Sequence, residues 1–292
     1  MSAMWRNFNR AVGCVLLCSA SLGFATSPQT WQTQQLQQAQ SGKLPYGVDR
    51  ANVPDAIAKV KSGEFFGVHV DLIANAGAVE AIPVLEEQFR RVQDPRLKDK
   101  IAAALVRLGD KDDIYWDFLV KEARVALESD APNFVSFDDR GKAVGGPSPE
   151  FEMWIKRHGG SADDSAAAED SIYFLPGRVI LLGWSRDPRA VLYLRQGLSS
   201  PNYMIEIAAA KGLAEIGDEN SIPLIINACQ KAPKEVAEAM AESLVYFDDE
   251  AAQSAVDRFI DKESAKIYRD DKASGRKTKP LTAPLYDSSA KQ

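Results

Sequence analysis

The sequence predicts an all-α fold, an α-solenoid of about five helix pairs with one long insertion, and three observations carry that prediction. The first is a repeated apolar triad at i, i+8 and i+11: Phe65, Ile73, Ala76; Leu97, Leu105, Leu108; Ile205, Leu213, Ile216; Val236, Leu244, Phe247. Those positions share one face of a helix. The second is a common ending, Leu108-Gly109-Asp110 and Ile216-Gly217-Asp218, with Ala76-Gly77-Ala78 a weaker copy. Glycine just past the last apolar residue is the expected helix stop, because it takes the left-handed conformation without a Cβ clash. The third is the restart: Ile82, Ile114 and Ile222 open the next apolar face, and Pro83 and Pro223 follow two of them, where proline suits a first helical turn.

The chain has 292 residues, 45% hydrophobic and 26% charged, a globular composition with room for one large domain or a repeat array. Its net charge of −6 disfavours a nucleic-acid partner, since phosphate backbones call for gathered positive charge. Residues 1–25 read as a secretory signal. Arg6 and Arg10 supply the positive start, Ala11 to Ala20 the apolar run, and Gly23-Phe24-Ala25 the small residues before a cut after Ala25. The alternative is an uncleaved anchor, for which the run is short. Leu17 before Cys18 disfavours lipoprotein processing. Cleavage removes Cys14 and Cys18, so a periplasmic or secreted product would have no intramolecular disulfide and no membrane span. Cys229 then remains, on the apolar stripe of Ile222, Ile225 and Ile226, as a small buried hydrophobe.

Residues 26–52 are Gln-rich, without apolar periodicity, and read as a flexible leader in which Trp31 stands alone. The repeat domain then runs over 53–265. First helices bear Ile82, Leu85, Phe89 and Val92, or Ile222, Ile225, Ile226 and Cys229. Second helices bear alanine runs, Ala102 to Ala104 and Ala208 to Ala210, that allow close approach. A pair with two apolar faces must stack on its neighbours to bury both. The third pair is interrupted. Its first helix spans 113–127 and its second about 171–182, with residues 129–170 between them rich in Asp, Gly, Pro and Ser. In that insertion Pro149 to Arg157 predicts a short amphipathic helix presenting Phe151, Trp154 and Ile155, either folded back onto the core or offered to a partner. A terminal helix over 250–265 closes the array, and 266–292, basic and then Pro/Ser-rich, reads as a disordered tail.

The segments IAAALVRLGD and IAAAKGLAEIGDENSIPLI resemble HEAT repeats, in particular the short HEAT-like class also found in phycobilin lyases. The resemblance implies a stacked helical scaffold. It also implies a ladder of Arg directly after the first apolar residue of each second helix, bonded to Asp of the next repeat. Phe66, Lys98, Glu206 and Ala237 stand there instead, so no regular ladder is expected.

Catalytic motifs are sparse. His69 and His158 are the only histidines; Arg157-His158-Gly159-Gly160 has no nucleophile elbow to accompany it, and no His-Glu dipeptide supports a di-iron site. The acidic pairs at 112–113, 138–139 and 163–164 lack calcium-loop spacing. No cofactor is expected. The reading is therefore a non-catalytic protein-binding scaffold of the cell envelope, with Phe151 and Trp154 of the insertion and Lys98, Arg107, Glu206 and Lys211 of the second helices as candidate partner contacts. The alternative is a lyase-like or hydrolytic enzyme using carboxylates on the concave face.

Overall fold

The computed structural model describes residues 50–145, 147–160 and 170–273. The expected signal, most of the leader and the basic tail beyond 273 lie outside the described residues. Except for one small hairpin, the described elements are helical, and they form six pairs. The first pair is α1 (Val53–Ser62) and α2 (Gly67–Asn75), the second α3 (Ile82–Arg91) and α4 (Pro95–Arg107). The third joins α5 (Asp113–Leu127) to α7 (Leu175–Trp184) across the insertion, which holds strands β1 (Ser136–Phe137) and β2 (Ala143–Gly145) and helix α6 (Pro149–Arg157). Then follow α8 (Ala190–Gly197) with α9 (Tyr203–Ile216), α10 (Ile222–Lys231) with α11 (Lys234–Leu244), and α12 (Glu250–Phe259) with α13 (Lys262–Ala273).

Local chemistry sets these boundaries. Asp94, Asp112, Asn202 and Asp249 accept amide hydrogens with their side chains at the starts of α4, α5, α9 and α12. Gly109 and Gly217 take φ of +81° and +78°, and the amides of Asp110 and Asp218 reach back to the carbonyls of Leu105 and Leu213 at 3.0 and 3.1 Å. The two matching sequence endings are thus one geometry, a left-handed glycine stop that satisfies otherwise orphaned carbonyls.

Second helices form a continuous layer: α2 touches α4, α4 touches α7, α7 touches α9 and α9 touches α11. The repeated triads supply its core. Ile73, Leu105, Ile205, Leu213, Val236 and Leu244 are fully buried, while Leu97 and Ile216 are partly so. A close crossing joins α7 to α9 at two glycines, where a Cβ built on Gly183 would stand 2.3 Å from the Gly212 Cα. First helices form the outer layer, joined in one place by Phe89 edge-on to Tyr115 and Phe118 at 5.1 Å each.

Three expectations change. Ile114 does not open an apolar face: it is 52% exposed, and α5 buries Tyr115, Trp116, Leu119 and Ala123 instead. The expected terminal helix is two helices, because Ile260 turns extended and Asp261 Oδ1 accepts the amides of Glu263 and Ser264 to start α13. That helix also carries regular structure past 265, to Ala273, into the stretch read as tail. Finally, Phe151 and Ile155 are buried but outside the principal core. Phe151 packs edge-on to Phe134 at 5.1 Å, so the insertion has a small core of its own.

The insertion seats on later repeats. The hairpin turn places the Gly141 carbonyl 3.1 Å from the Glu235 amide at the start of α11, and Glu235 Oε2 accepts from the Ala143 amide at 3.1 Å. Gly141 has φ +69°, and a Cβ there would meet the Lys234 nitrogen at 2.4 Å, so this close approach needs glycine. Asn133 accepts from the Tyr203 amide at 2.6 Å, and Phe137 lies edge-on to the Tyr203 ring.

Candidate functional site

Charged side chains bridge the second helices from one repeat to the next. Asp71 of α2 accepts from Lys100 of α4 at 2.8 Å, and Asp99 of α4 from Arg178 of α7 at 3.4 Å. Arg178 also pairs with Glu122 of α5, and Lys211 of α9 lies 3.6 Å from Glu242. Between these, Glu215 of α9 takes both Arg186, whose Nε is 2.8 Å away, and Arg107 at 3.3 Å. A bridged series therefore exists without the Arg positions that the family resemblance implied. Burial raises the Asp71 carboxyl above its ordinary range against the pull of Lys100. Asp99 is likewise raised to about 6, chiefly by burial, with Arg178 opposing.

Part of this network lies beneath a cleft of about 360 Å³. The end of the α1–α2 turn gives Phe65, Phe66 and Gly67, the start of α4 gives Arg96 and Lys100, the π-helical turn into α7 gives Tyr173 and Phe174, and α7 itself gives Arg178. Phe66 is 74% exposed and Tyr173 is 40% exposed, so two large aromatics stand at the mouth. The Phe66 amide donates to His69 Nδ1 at 3.0 Å, which fixes the start of α2 and gives that histidine a structural role. Arg96 and Arg178 lie over the Phe174 ring at 5.6 and 4.2 Å. Such a cleft offers apolar area, aromatic faces and guanidinium groups to an entering chain. Sequence reasoning missed it because Phe66 caps the start of α2 while Tyr173 and Phe174 lie in the π-helical turn Asp170–Phe174 that leads into α7, and only the fold brings them together. An available signal was the Phe65-Phe66 doublet, whose second member has no place on the apolar face.

The candidate contacts do not converge. Arg107 is 1% exposed; its guanidinium donates to the Trp184 carbonyl at 2.8 Å and lies over the Trp184 ring, so it is interior and not a surface contact. Phe151 is wholly buried. Trp154 is half-buried, its Nε1 donating to Asp130 at 2.8 Å and its ring tilted against His158 with centroids 4.4 Å apart. Lys98 lies over the Phe89 ring at 4.9 Å, and Lys211 is paired with Glu242. Glu206 lines a separate cleft and is raised to about 7 by burial. Asp99 and Glu206, the second-layer carboxylates most strongly lifted, thus belong to different clefts. Cys229 is buried, and its thiol is pushed up to about 12. Among the described residues no group of three potential metal ligands occurs, and no helix is long and apolar enough to cross a membrane.

Fold and surface together define an α-solenoid of paired helices. Residues 179–271, from within α7 to near the end of α13, match the family model for HEAT repeats, about one third of the chain. This gives the chain a HEAT-repeat-like helical domain. No curated protein and no solved structure matches it.

Proposed function

We propose that this chain is a non-catalytic scaffold of the cell envelope that binds another protein through its second-helix layer. The cleft edged by Phe66 and Tyr173 is the anchor point. The observation that carries this reading is the pairing of two exposed aromatics with a preformed hollow, since large aromatics at the mouth of a pocket are the usual anchors of protein interfaces. The partner inserts an apolar side chain between Phe66 and Phe174, with acidic flanks beside Arg96. HEAT-repeat folds in general serve as protein-binding scaffolds, which supports the same class. Export rests on Arg6, Arg10, the apolar run from Ala11 and the Gly23-Phe24-Ala25 end. Separate placement of Asp99 and Glu206 favours binding over paired-carboxylate catalysis.

The test is site-directed photocrosslinking from position 66 in a periplasmic fraction. A discrete adduct that disappears with Tyr173→Ala and persists with Trp154→Ala supports the reading. Adducts unaffected by Tyr173→Ala, or recovery of the chain with residues 1–25 intact in the cytoplasm, would count against it.

A further inference from the structure

A second hollow opens where α9 begins and α10 ends. Arg195, Leu198, Tyr203, Glu206, Asn227 and Lys231 help to enclose about 300 Å³, and an adjoining space of about 400 Å³ shares Tyr203 and Lys231 and extends to the hairpin turn of the insertion. The smaller volume lies at the lower end of the range for small-molecule sites, roughly 300–1,000 Å³.

Two charged side chains on its lining, half-buried Glu206 and exposed Lys231, have no ion-pair partner among the described residues. The Glu206 carboxylate, half-buried in the first turn of α9, makes no hydrogen bond or ion pair among the described residues. Burial alone lifts it to about 7, and the only charge acting against that lift is Lys231. Lys231, at the last turn of α10, likewise forms no ion pair or side-chain hydrogen bond among the described residues, so the two face the same hollow from too far apart to bond. Arg195 is already committed: its guanidinium donates to Asp218 Oδ2 at 2.8 Å and to Ser221 Oγ at 2.8 Å. A partly desolvated carboxylate without a protein donor keeps its hydrogen-bonding capacity for what enters the cleft, and such a group in a cleft is a mark of a binding site.

A purely cationic ligand would satisfy Glu206 and meet repulsion from Lys231; a purely anionic one would do the reverse. A molecule carrying both charges satisfies both. We propose that this cleft binds a small zwitterion, a free α-amino acid, with its ammonium on Glu206, its carboxylate on Lys231 and its side chain against Tyr203, Leu198 and Leu224. The Asn227 amide is placed to take a remaining polar atom of the ligand. This site is independent of the aromatic cleft, which shares none of its residues.

Isothermal titration of the full chain tests it, with L-leucine and L-glutamine as probes and with leucinamide and 4-methylpentanoate as analogues that each keep one charge. At about pH 8, at least one zwitterion should bind with a Kd below about 1 mM, and both analogues should bind at least about tenfold more weakly. Glu206→Gln and Lys231→Met should each weaken the zwitterion by about tenfold or more while the far-ultraviolet spectrum stays that of the wild type. The charged and titratable neighbours are Lys231 and Cys229 on α10, Arg195 on α8, Tyr203 on α9 itself, and Asp138, Asp139, Arg140 and Lys234 around the adjoining hollow. Burial raises Glu206 to about 7, so affinity should fall as pH drops from about 8 to about 6. Absence of heat with both zwitterions at about 10 mM, equal binding of leucinamide, or undiminished affinity in a folded Glu206→Gln protein would each overturn the proposal.

Discussion

Replacing Gly183 with alanine should push α7 away from α9 and destabilise the fold by about 2 kcal/mol. The new Cβ would stand 2.3 Å from the Gly212 Cα and 3.0 Å from its carbonyl carbon and oxygen, where ordinary contact begins near 3.4 Å. Relief therefore requires roughly 1 Å of movement between two helix backbones, and no side chain can rotate out of the way. Overpacking of this kind costs about 3 kcal/mol, at the upper end of the usual range. Alanine returns up to about 1 kcal/mol through its better helix propensity. For a domain of this size the net loss corresponds to a Tm lower by about 4–8 °C. Gly177 provides the control: it lies in the same helix, but a Cβ there meets nothing within 4 Å. Gly177→Ala should be neutral or stabilising by up to about 1 kcal/mol. Circular dichroism at the helical band, followed through thermal and urea unfolding, reads both variants. Equal stability of the two would refute the reasoning, because the substitution is identical and only the neighbour differs.

Two further outcomes follow from the buried charges. Burial raises Asp99 to about 6 from an ordinary 3.8, so between those values it holds a proton in the native chain that the unfolded chain has released. Its contribution to stability is complete below the lower value and is lost as pH rises through about 6. Asp99→Asn should abolish that decline and make the variant more stable than wild type at neutral pH, by on the order of 1–3 kcal/mol; a wild-type-like Tm profile from pH 4 to 8 would contradict it. Glu215→Gln removes the negative charge shared by Arg107 and Arg186, both almost wholly buried. Unfolding in guanidinium should show a loss of about 3 kcal/mol, and a loss below about 0.5 kcal/mol would mean that other groups compensate the two cations.

Much of the architecture was legible because it is written locally. The triad running through Ile205 and Leu213 and the Gly109 and Gly217 stops depend only on residues within one helix and its end, and each lies in the structure where the spacing puts it. Features that depend on a distant neighbour were not legible. Arg107 looks like a surface residue on a helical wheel because it falls off the apolar stripe, yet Trp184 and Glu215, far along the chain, meet it in the interior. The Gly183–Gly212 crossing has no signature in either helix alone. Ile114 misled by being apolar at a helix start, while Tyr115 and Trp116 carry the burial. The break before α13 had a local signal, Asp261 as an N-cap ahead of Ser264, outweighed by the apolar periodicity that runs across it. Of the candidate contacts, those in the insertion resolve into its own packing, and the aromatic cleft emerges only when segments of three successive repeats come together.

The seat of the hairpin on α11 alters how the array comes apart. A stack of repeats held by adjacent contacts alone is a one-dimensional chain, free to fray from either end or part at any weak joint. Here the insertion departs between α5 and α7, is bonded through Asn133 to Pro201 and Tyr203 of the intervening pair, and reaches past it through Gly141 and Ala143 to Glu235 of α11. Opening any joint between α5 and α11 must also unfasten that strap. The middle of the molecule is thereby converted from independent links into a closed loop that opens as one cooperative unit, while α1–α2 and α12–α13 remain the ends from which unravelling starts.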